Sequence, residues 1–90
     1  MKLVFSDAAW ADYLFWQAND EALLARVNEL IRDARRTPFR GIGKPEPLVG
    51  SLKGWWSRRI TREHRLVYRV SGTDDGQSLE IAACRFHYER

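Results

Sequence analysis

The sequence predicts an α+β protein of element order β-α-α-β-β-β, in which two N-terminal helices pack on one face of a mainly antiparallel, twisted sheet. Apolar residues at helical spacing fall within the first 36 residues. Strand-like segments fill the chain from residue 55 onward, and a segment rich in proline and glycine separates the two halves. Ninety residues are enough for one hydrophobic core, so we expect residues 1–90 to form a single domain.

The N-terminal part of the chain is predicted to form one strand and a helical hairpin. Residues 1–5 give the strand, and Ser6 is placed to cap a helix over about residues 7–17. Asp20 caps a longer helix that ends near Arg36, because Pro38 disfavours helical backbone just before it. The predicted apolar stripes are Trp10, Tyr13, Leu14 and Gln17 on the first helix and Leu23, Leu24, Val27, Leu30, Ile31 and Ala34 on the second.

Residues 37–54 lack periodicity and are predicted to form a long loop. They contain all three prolines and four of the six glycines. Long loops within compact domains are commonly functional. Pro45 and Pro47 restrict the backbone on both sides of Glu46, which predicts an extended segment that presents the Glu46 carboxylate.

Three strands are predicted in the C-terminal half, over about residues 55–61, 65–70 and 78–86, with a turn-rich link at 71–77. In the last strand, Arg85 and His87 continue the alternation of Leu79 and Ile81. Either this strand is buried on both faces, or a bulge or the chain end redirects His87. The sequence leaves these two alternatives open.

The turn between the first two of these strands decides which face carries the arginines. A two-residue turn would place residue 65 opposite 60, whereas a three-residue turn would place it opposite 61. We favour the three-residue turn because it alone separates apolar from charged side chains. It assigns Trp56, Ile60, Leu66, Tyr68 and Val70 to the helix-covered face and Trp55, Arg59, Arg65 and Arg69 to the open face.

The charge of the chain is concentrated in its centre. The net charge is only +3, but residues 35–69 carry ten basic and two acidic side chains, a balance of +8, between segments of −3 and −2. Twelve of the fifteen cations are arginine, whose planar guanidinium suits bidentate phosphate binding. This pattern favours a polyanion site, although a solvated arginine-rich surface gives the same totals.

The same region offers the groups that RNA cleavage without a metal requires. A base must deprotonate the ribose 2′-OH, an acid must protonate the 5′-oxygen, and cations must hold the phosphate. Glu46, His87, and the pair Arg59 and Arg65 are the candidates, although each taken alone is also typical of a solvated surface residue. Further predicted RNA contacts are Lys44, Lys53, Arg58, Arg62 and Arg69, and Tyr88 is predicted either to stack on a base or to join the core.

Other chemistries fit this sequence less well. The two histidines and one cysteine lack zinc-ligand spacing, and we expect neither a metal nor a cofactor. Cys84 is interpreted as a small buried hydrophobe, and His64 as a turn residue on the surface. A single cysteine, the lack of a long apolar run and the lack of a secretory leader predict a cytoplasmic protein.

Several segments together resemble the YoeB/Txe family of RelE-like toxins, which belong to type II toxin–antitoxin systems. The resemblance covers nearly the whole chain, and no single motif carries it. The matching segments are residues 1–3, 13–17, 37–48, 56–61, 63–68 and 82–88. Val49 departs from the family pattern, in which this position is often basic, and the 71–77 link and the end Glu89-Arg90 are longer than usual.

The resemblance implies a fold, an activity and partners. The fold would be like that of microbial ribonucleases, and the activity would be cleavage of mRNA in the ribosomal A site to a 2′,3′-cyclic phosphate and a 5′-hydroxyl. Glu46 would be the general base, His87 the general acid, Arg65 with Arg59 would stabilise the phosphate, and Tyr88 would help to shape the site. The implied partners are mRNA on the ribosome, a cognate YefM/Axe-like antitoxin and a second copy of the chain, without a membrane.

Two other functions remain open at this point. The arginines would suffice for a non-catalytic module that binds RNA or the ribosome. An inactive toxin that only titrates an antitoxin would have the same fold. Cleavage that depends on Glu46 and His87 distinguishes the ribonuclease from both.

Overall fold

A computed structural model describes residues 1–87. Their elements are β1 (Lys2–Phe5), α1 (Asp7–Asn19), α2 (Glu21–Arg36), β2 (Glu46–Pro47), β3 (Trp56–Arg59), β4 (Arg65–Ser71) and β5 (Ser78–Ala83). The five strands form one sheet in the order β1-β5-β4-β3-β2, in which β1 is parallel to β5 and the other neighbours are antiparallel. The predicted α+β class is therefore confirmed, with one additional short strand, β2, inside the segment that was predicted to be a loop.

Side-chain caps define the start of both helices, as predicted. The Ser6 hydroxyl accepts a hydrogen bond from the Ala9 amide at 3.0 Å, and the Asp20 carboxylate accepts one from the Leu23 amide at 3.1 Å. Each cap satisfies an amide that has no partner within its helix. The helical hairpin is thus determined by local sequence, although α1 continues two residues beyond its predicted end.

The buried face of α1 differs from the predicted one. Trp10, Leu14 and Gln17 of the predicted stripe are exposed, the first two at 48% and 40%, whereas Ala9 and Trp16 are buried. Tyr13 is the one predicted residue of the four that packs against the core. Apolar residues lie on nearly all sides of α1, so periodicity could not select the face that meets β5 and α2. On α2, where polar residues occupy the other side, the predicted stripe is confirmed at Val27, Leu30, Ile31 and Ala34, which are buried, and at Leu23 and Leu24, which pack at its margin.

The turn between β3 and β4 is longer than predicted, but the assignment of faces is correct. Arg59 lies opposite Arg65, so residues 60–64 form the connection, and residue 65 does not face residue 61. The difference in register is two residues, and because side chains alternate with a period of two, every residue keeps its face. Leu66 and Tyr68 are buried towards the helices, while Arg59 and Arg69 on the other face are exposed.

A bulge and a left-handed residue settle the orientation of His87. Val67 pairs with Ala83 while Tyr68 pairs with Ile81, so Ala82 is an extra residue in β5. The strand ends at Ala83 instead of continuing to residue 86, and Phe86 has a φ of 65°. Of the two alternatives, redirection by a bulge is therefore the observed one.

Candidate functional site

The predicted site residues meet in a hollow on the sheet face that is turned away from the helices. The hollow has a volume of about 110 Å³ and is lined by Lys44, Glu46, Ser57, Arg59, Arg65 and His87. We refer to this set as the basic hollow. It brings together one carboxylate, one imidazole and three cationic side chains from segments that are far apart in sequence. Glu46, Arg59, Arg65 and His87, which the sequence analysis named as candidates, thus line the same hollow, and their catalytic roles stay a prediction.

Glu46 reaches the basic hollow from the edge of the sheet. Glu46 lies in the short strand β2 and pairs with Ser57 of β3. The chain after β2 is held by a hydrogen bond of 2.9 Å from the Leu48 amide to the Trp55 carbonyl. Leu48 is buried, so the chain just after Glu46 is anchored. Edge strands tolerate prolines, which explains how Pro45 and Pro47 can flank a paired residue. The predicted stiff, presented carboxylate is thus held by strand pairing as well as by the prolines.

A tight backbone crossing places Lys44 beside Glu46. The Arg59 amide donates to the Gly43 carbonyl at 2.7 Å. A Cβ atom on Gly43 would lie 2.7 Å from a Leu30 methyl carbon, and both Gly43 and Lys44 have positive φ. Glycine is therefore required at 43, because a side chain there would separate the loop from the sheet.

The two arginines of the basic hollow lie directly opposite each other on β3 and β4. Arg59 is exposed, whereas Arg65 is partly buried. The Arg65 Nη1 atom donates to the carbonyls of Thr61 at 2.7 Å, His64 at 3.0 Å and Arg62 at 3.2 Å. The 60–64 connection therefore holds the Arg65 guanidinium in place before any ligand binds, which lowers the ordering cost of binding a phosphate.

The residues that precede His87 are tied to the rest of the molecule without strand pairing. The Cys84 amide donates to Asp12 at 3.0 Å, and its carbonyl accepts from the Trp16 indole at 2.8 Å. The Phe86 amide donates to Nδ1 of His64 at 2.7 Å, and the Phe86 carbonyl accepts from the Arg65 amide at 3.0 Å. The chain therefore reaches His87 along a fixed path.

His64 is the residue that sequence reasoning missed. It was interpreted as a turn residue on the surface, but its ring is partly buried and meets the Trp16 ring edge-on at 4.8 Å. That contact joins α1 to the 60–64 connection, so neither local spacing nor composition could reveal it. The available signal was its place between Glu63 and Arg65, within one of the segments that carry the family resemblance.

The position of Arg58 differs from the predicted one. Its side chain is fully buried, and its guanidinium donates to Asp33 at 2.5 Å and to Tyr68 Oη at 3.0 Å. It also donates to three carbonyls of the loop that follows α2, those of Thr37, Arg40 and Ile42. A hydrogen bond from Arg58 is the main reason why the pKa of Asp33 lies below its usual value. The prediction that Arg58 contacts RNA is wrong, because it instead fastens this loop to the sheet.

The other predicted RNA contacts differ in position. Lys44 lines the basic hollow, whereas Lys53, Arg62 and Arg69 are exposed outside its described lining. The Arg69 guanidinium lies 4.5 Å from the centre of the Trp55 ring and pairs with Glu80 at 2.8 Å. RNA binding by these residues stays a prediction. Tyr88 lies outside the described residues.

Three further features concern the rest of residues 1–87. Cys84 is fully buried, as predicted, and burial raises the pKa of its thiol to about 12. Within the described chain, no three His, Cys, Asp or Glu side chains are grouped so that they could hold a metal ion. No helix in that part of the chain has the length and apolar character needed to cross a membrane.

Comparison with known proteins identifies the family. The family model described as the YoeB-like toxin of bacterial type II toxin–antitoxin systems matches residues 5–88. Toxin YoeB of Escherichia coli strain K12 is 62% identical over 88 residues, which cover 98% of this chain and 100% of the relative.

Solved structures agree with this assignment. A YoeB/ParE toxin from Agrobacterium tumefaciens is 59% identical and superimposes with a TM-score of 0.95, covering 98% of this chain and 100% of that one. YoeB from Staphylococcus aureus, solved as a heterotetrameric complex with YefM, is 44% identical with a TM-score of 0.84 over 98% of both chains, and it has also been solved as a dimer. The chain belongs to the YoeB-like toxins of bacterial type II toxin–antitoxin systems.

Proposed function

We propose that this toxin is a metal-independent endoribonuclease that cleaves mRNA in the ribosomal A site and thereby stops translation. The observation that carries the proposal is the basic hollow, in which a carboxylate and an imidazole lie with three cations around a space of about 110 Å³. That combination meets the three requirements of cleavage by the ribose 2′-OH, namely a base, an acid and compensation of phosphate charge.

In this mechanism two protons move, one from the 2′-OH to Glu46 and one from His87 to the leaving oxygen. Glu46 takes the proton of the 2′-OH as the 2′-oxygen forms a bond to phosphorus. The bond between phosphorus and the 5′-oxygen then breaks, and His87 donates a proton to the departing oxygen. The products are a 2′,3′-cyclic phosphate and a 5′-hydroxyl, and water is not consumed.

The cations act on the charge that develops at phosphorus. Arg65 is already fixed by three carbonyls at its Nη1 atom, and Arg59 faces it across the two strands. One guanidinium group can bind two phosphate oxygens at once. Arg59 and Arg65 together are therefore suited to hold the pentacovalent phosphate of the transition state. Lys44 adds a third positive charge beside Glu46, and Tyr88 is proposed to complete the site.

Three partners follow from the same proposal. The RNA substrate is mRNA bound to the ribosome. YoeB of Staphylococcus aureus forms a complex with YefM. For this chain we propose a YefM/Axe-like antitoxin that covers the basic hollow with an acidic and partly apolar segment. A second copy of the chain would form a homodimer. Two exposed apolar residues of α1 supply surface for it, Leu14 and Trp10, and the Trp10 ring meets Phe5 of the edge strand β1. We further propose that residues 1–90 act as one domain in the cytoplasm.

The test uses ribosomes programmed with a 5′-labelled mRNA. The parent toxin is expected to cut within the A-site codon and to leave a cyclic phosphate on the labelled fragment. Glu46→Gln and His87→Gln should each lower the cleavage rate by about 10²-fold or more while binding to the ribosome persists. Glu29→Gln is the matched control, because it makes the same chemical change at an exposed residue of α2.

The outcomes separate the three candidate functions. Parent protein that binds the programmed ribosome without cutting would show a non-catalytic binding module. Parent protein that neither binds nor cuts, but captures the antitoxin, would show a titrating domain. Cleavage at the parent rate by both Glu46→Gln and His87→Gln would remove the acid–base assignment.

A further inference from the structure

Phe86 is held in a conformation that its own side chain disfavours. Its φ is 65°, in the left-handed region that residues with a Cβ rarely adopt. Both of its backbone polar groups are bound, the amide to Nδ1 of His64 at 2.7 Å and the carbonyl to the Arg65 amide at 3.0 Å. A strained backbone next to a functional residue persists where its surroundings hold it. Here the next residue is His87.

The His64 ring is itself held by a contact with helix α1. Its ring meets the Trp16 ring at a centroid distance of 4.8 Å and an interplanar angle of 79°. Trp16 is only 4% exposed, and its indole donates to the Cys84 carbonyl at 2.8 Å. To accept from an amide, Nδ1 must carry a free electron pair, so the geometry assigns the ring proton to Nε2.

We propose that His64 is a positioning residue for catalysis, which holds Phe86 in its left-handed conformation and so directs the His87 imidazole into the basic hollow. This inference rests on the proposed function, in which His87 is the general acid. His64 and Arg65 are neighbours in sequence, and each binds one side of the Phe86 backbone. The pair therefore sets the position of the acid relative to the arginine that holds the phosphate.

The proposal separates binding of the substrate from its chemistry. The Arg59 amide is bound to the Gly43 carbonyl, and the Arg65 guanidinium to the carbonyls of Thr61 and Arg62, so both arginines have backbone contacts of their own. Loss of the Nδ1 acceptor should therefore lower kcat and leave KM nearly unchanged. A displacement of about 1 Å in a reacting group is enough to lower a rate about 10²-fold.

Two substitutions at one position test the acceptor atom itself. His64→Leu supplies side-chain bulk at the same position and removes the acceptor. In His64→Asn the Oδ1 atom is an acceptor as many bonds from the backbone as Nδ1 of His. We expect His64→Leu to lower kcat roughly 10- to 100-fold, with KM within about two-fold, and His64→Asn to recover most of that loss. Equal losses in both variants, in a folded protein, would contradict the proposal.

A substrate with a modified leaving group tests whether His64→Leu is slow because the His87 imidazole is displaced. In a programmed mRNA with sulfur in place of the 5′-bridging oxygen, the 2′-oxygen attacks phosphorus, the phosphorus–sulfur bond breaks, and a thiolate departs without needing a proton. His64→Leu should cleave this substrate within a few-fold of the parent rate, whereas Glu46→Gln should remain slow. An equal defect of His64→Leu on the oxygen and sulfur substrates would overturn the proposal.

A spectroscopic measurement tests the hydrogen bond from the Phe86 amide to Nδ1 of His64 independently of activity. In ¹⁵N-labelled parent protein, the hydrogen bond should give a scalar coupling between the Phe86 amide nitrogen and Nδ1 of His64, together with slow exchange of that amide. A missing coupling and fast exchange would refute the proposal even in an active enzyme. A parent protein that shows the coupling but does not cleave mRNA would instead refute the proposed function, while the hydrogen bond between His64 and Phe86 would still be established.

Discussion

Arg58 and Arg59 are neighbours on β3, yet one is entirely buried and the other is exposed. The guanidinium of Arg58 is enclosed by a carboxylate, a phenol and three carbonyls, whereas that of Arg59 lines the basic hollow. Successive side chains of a strand point to opposite faces, so adjacent residues of the same type can serve different purposes. The arginine on the face turned to the helices is enclosed by acceptors, and the arginine on the other face lines the basic hollow, where we propose that it meets a phosphate.

The largest expected effect is on the buried side of this pair. Arg58→Ala removes the buried cation that pairs with Asp33 and takes one donor away from each of the carbonyls of Thr37, Arg40 and Ile42. We expect the free energy of unfolding to fall by about 3–5 kcal/mol, as is typical when one partner of a buried ion pair is lost. Urea unfolding measures it, with Arg62→Ala as the exposed control. A loss as small as that of the control would mean that Arg58 does not fasten the loop.

Arg59→Ala should show the opposite pattern. Its exposed side chain contributes little to folding, so the free energy of unfolding should stay within about 0.5 kcal/mol of the parent value. Cleavage on programmed ribosomes should fall about 10²-fold, because a cation that meets the phosphate in the transition state is lost. Arg32→Ala, at an exposed arginine on α2, is the matched control. Unchanged cleavage by Arg59→Ala would remove this residue from the site.

The pH dependence of the free energy of unfolding tests the ion pair between Asp33 and the buried Arg58. The pKa of Asp33 is lowered in the folded protein, chiefly by its hydrogen bond from Arg58. Its contribution to stability is therefore complete above the unfolded-state pKa of about 3.9 and is lost as the pH falls through the folded pKa. Asp33→Asn should be less stable than the parent near neutral pH.

The same variant gives a signed test in acid. As the pH falls below about 4, the parent loses the contribution of Asp33, so the difference in free energy of unfolding between parent and Asp33→Asn should shrink. Urea unfolding at several pH values measures it, with Asp75→Asn as an exposed control. A difference that stays constant down to low pH would argue against the ionised pair.

The smallest expected effect concerns the departure from the family pattern at Val49, which is 84% exposed. Val49→Lys should strengthen binding to programmed ribosomes by a few-fold at low salt. If the new cation meets a phosphate, the slope of log affinity against log salt should become steeper by roughly 0.7–0.9. Leaving the slope unchanged would place position 49 away from the RNA.

Much of this molecule could be predicted from its sequence because the deciding interactions are local. The caps at Ser6 and Asp20, the stripe of α2 and the presentation of Glu46 between two prolines depend on residues a few positions apart. The faces of Arg59 and Arg65 were also predictable, since the alternation of strand residues survives a two-residue error in register. The common face of Glu46, Arg59 and Arg65 followed from these elements, whereas the position of His87 did not, because it depends on the bulge at Ala82 and on the backbone of Phe86.

Other features depended on contacts between distant segments. The parallel pairing of β1 with β5, the bulge at Ala82 and the contact of His64 with Trp16 join parts of the chain separated by tens of residues. The buried face of α1 was mispredicted because the helix is apolar on nearly all sides, so only its neighbours could select a face. Each of these features is fixed by packing, which local patterns do not encode.

By itself the sequence determined the helices, the alternation of the strands and the arginine-rich composition of the centre, because backbone preferences and side-chain periodicity act over a few residues. Only the tertiary structure decided whether the arginine on the helix-covered face, Arg58, is enclosed or reaches solvent. That choice depends on where α2 and the loop after it come to lie over the sheet, since a buried guanidinium requires acceptors from several segments at once.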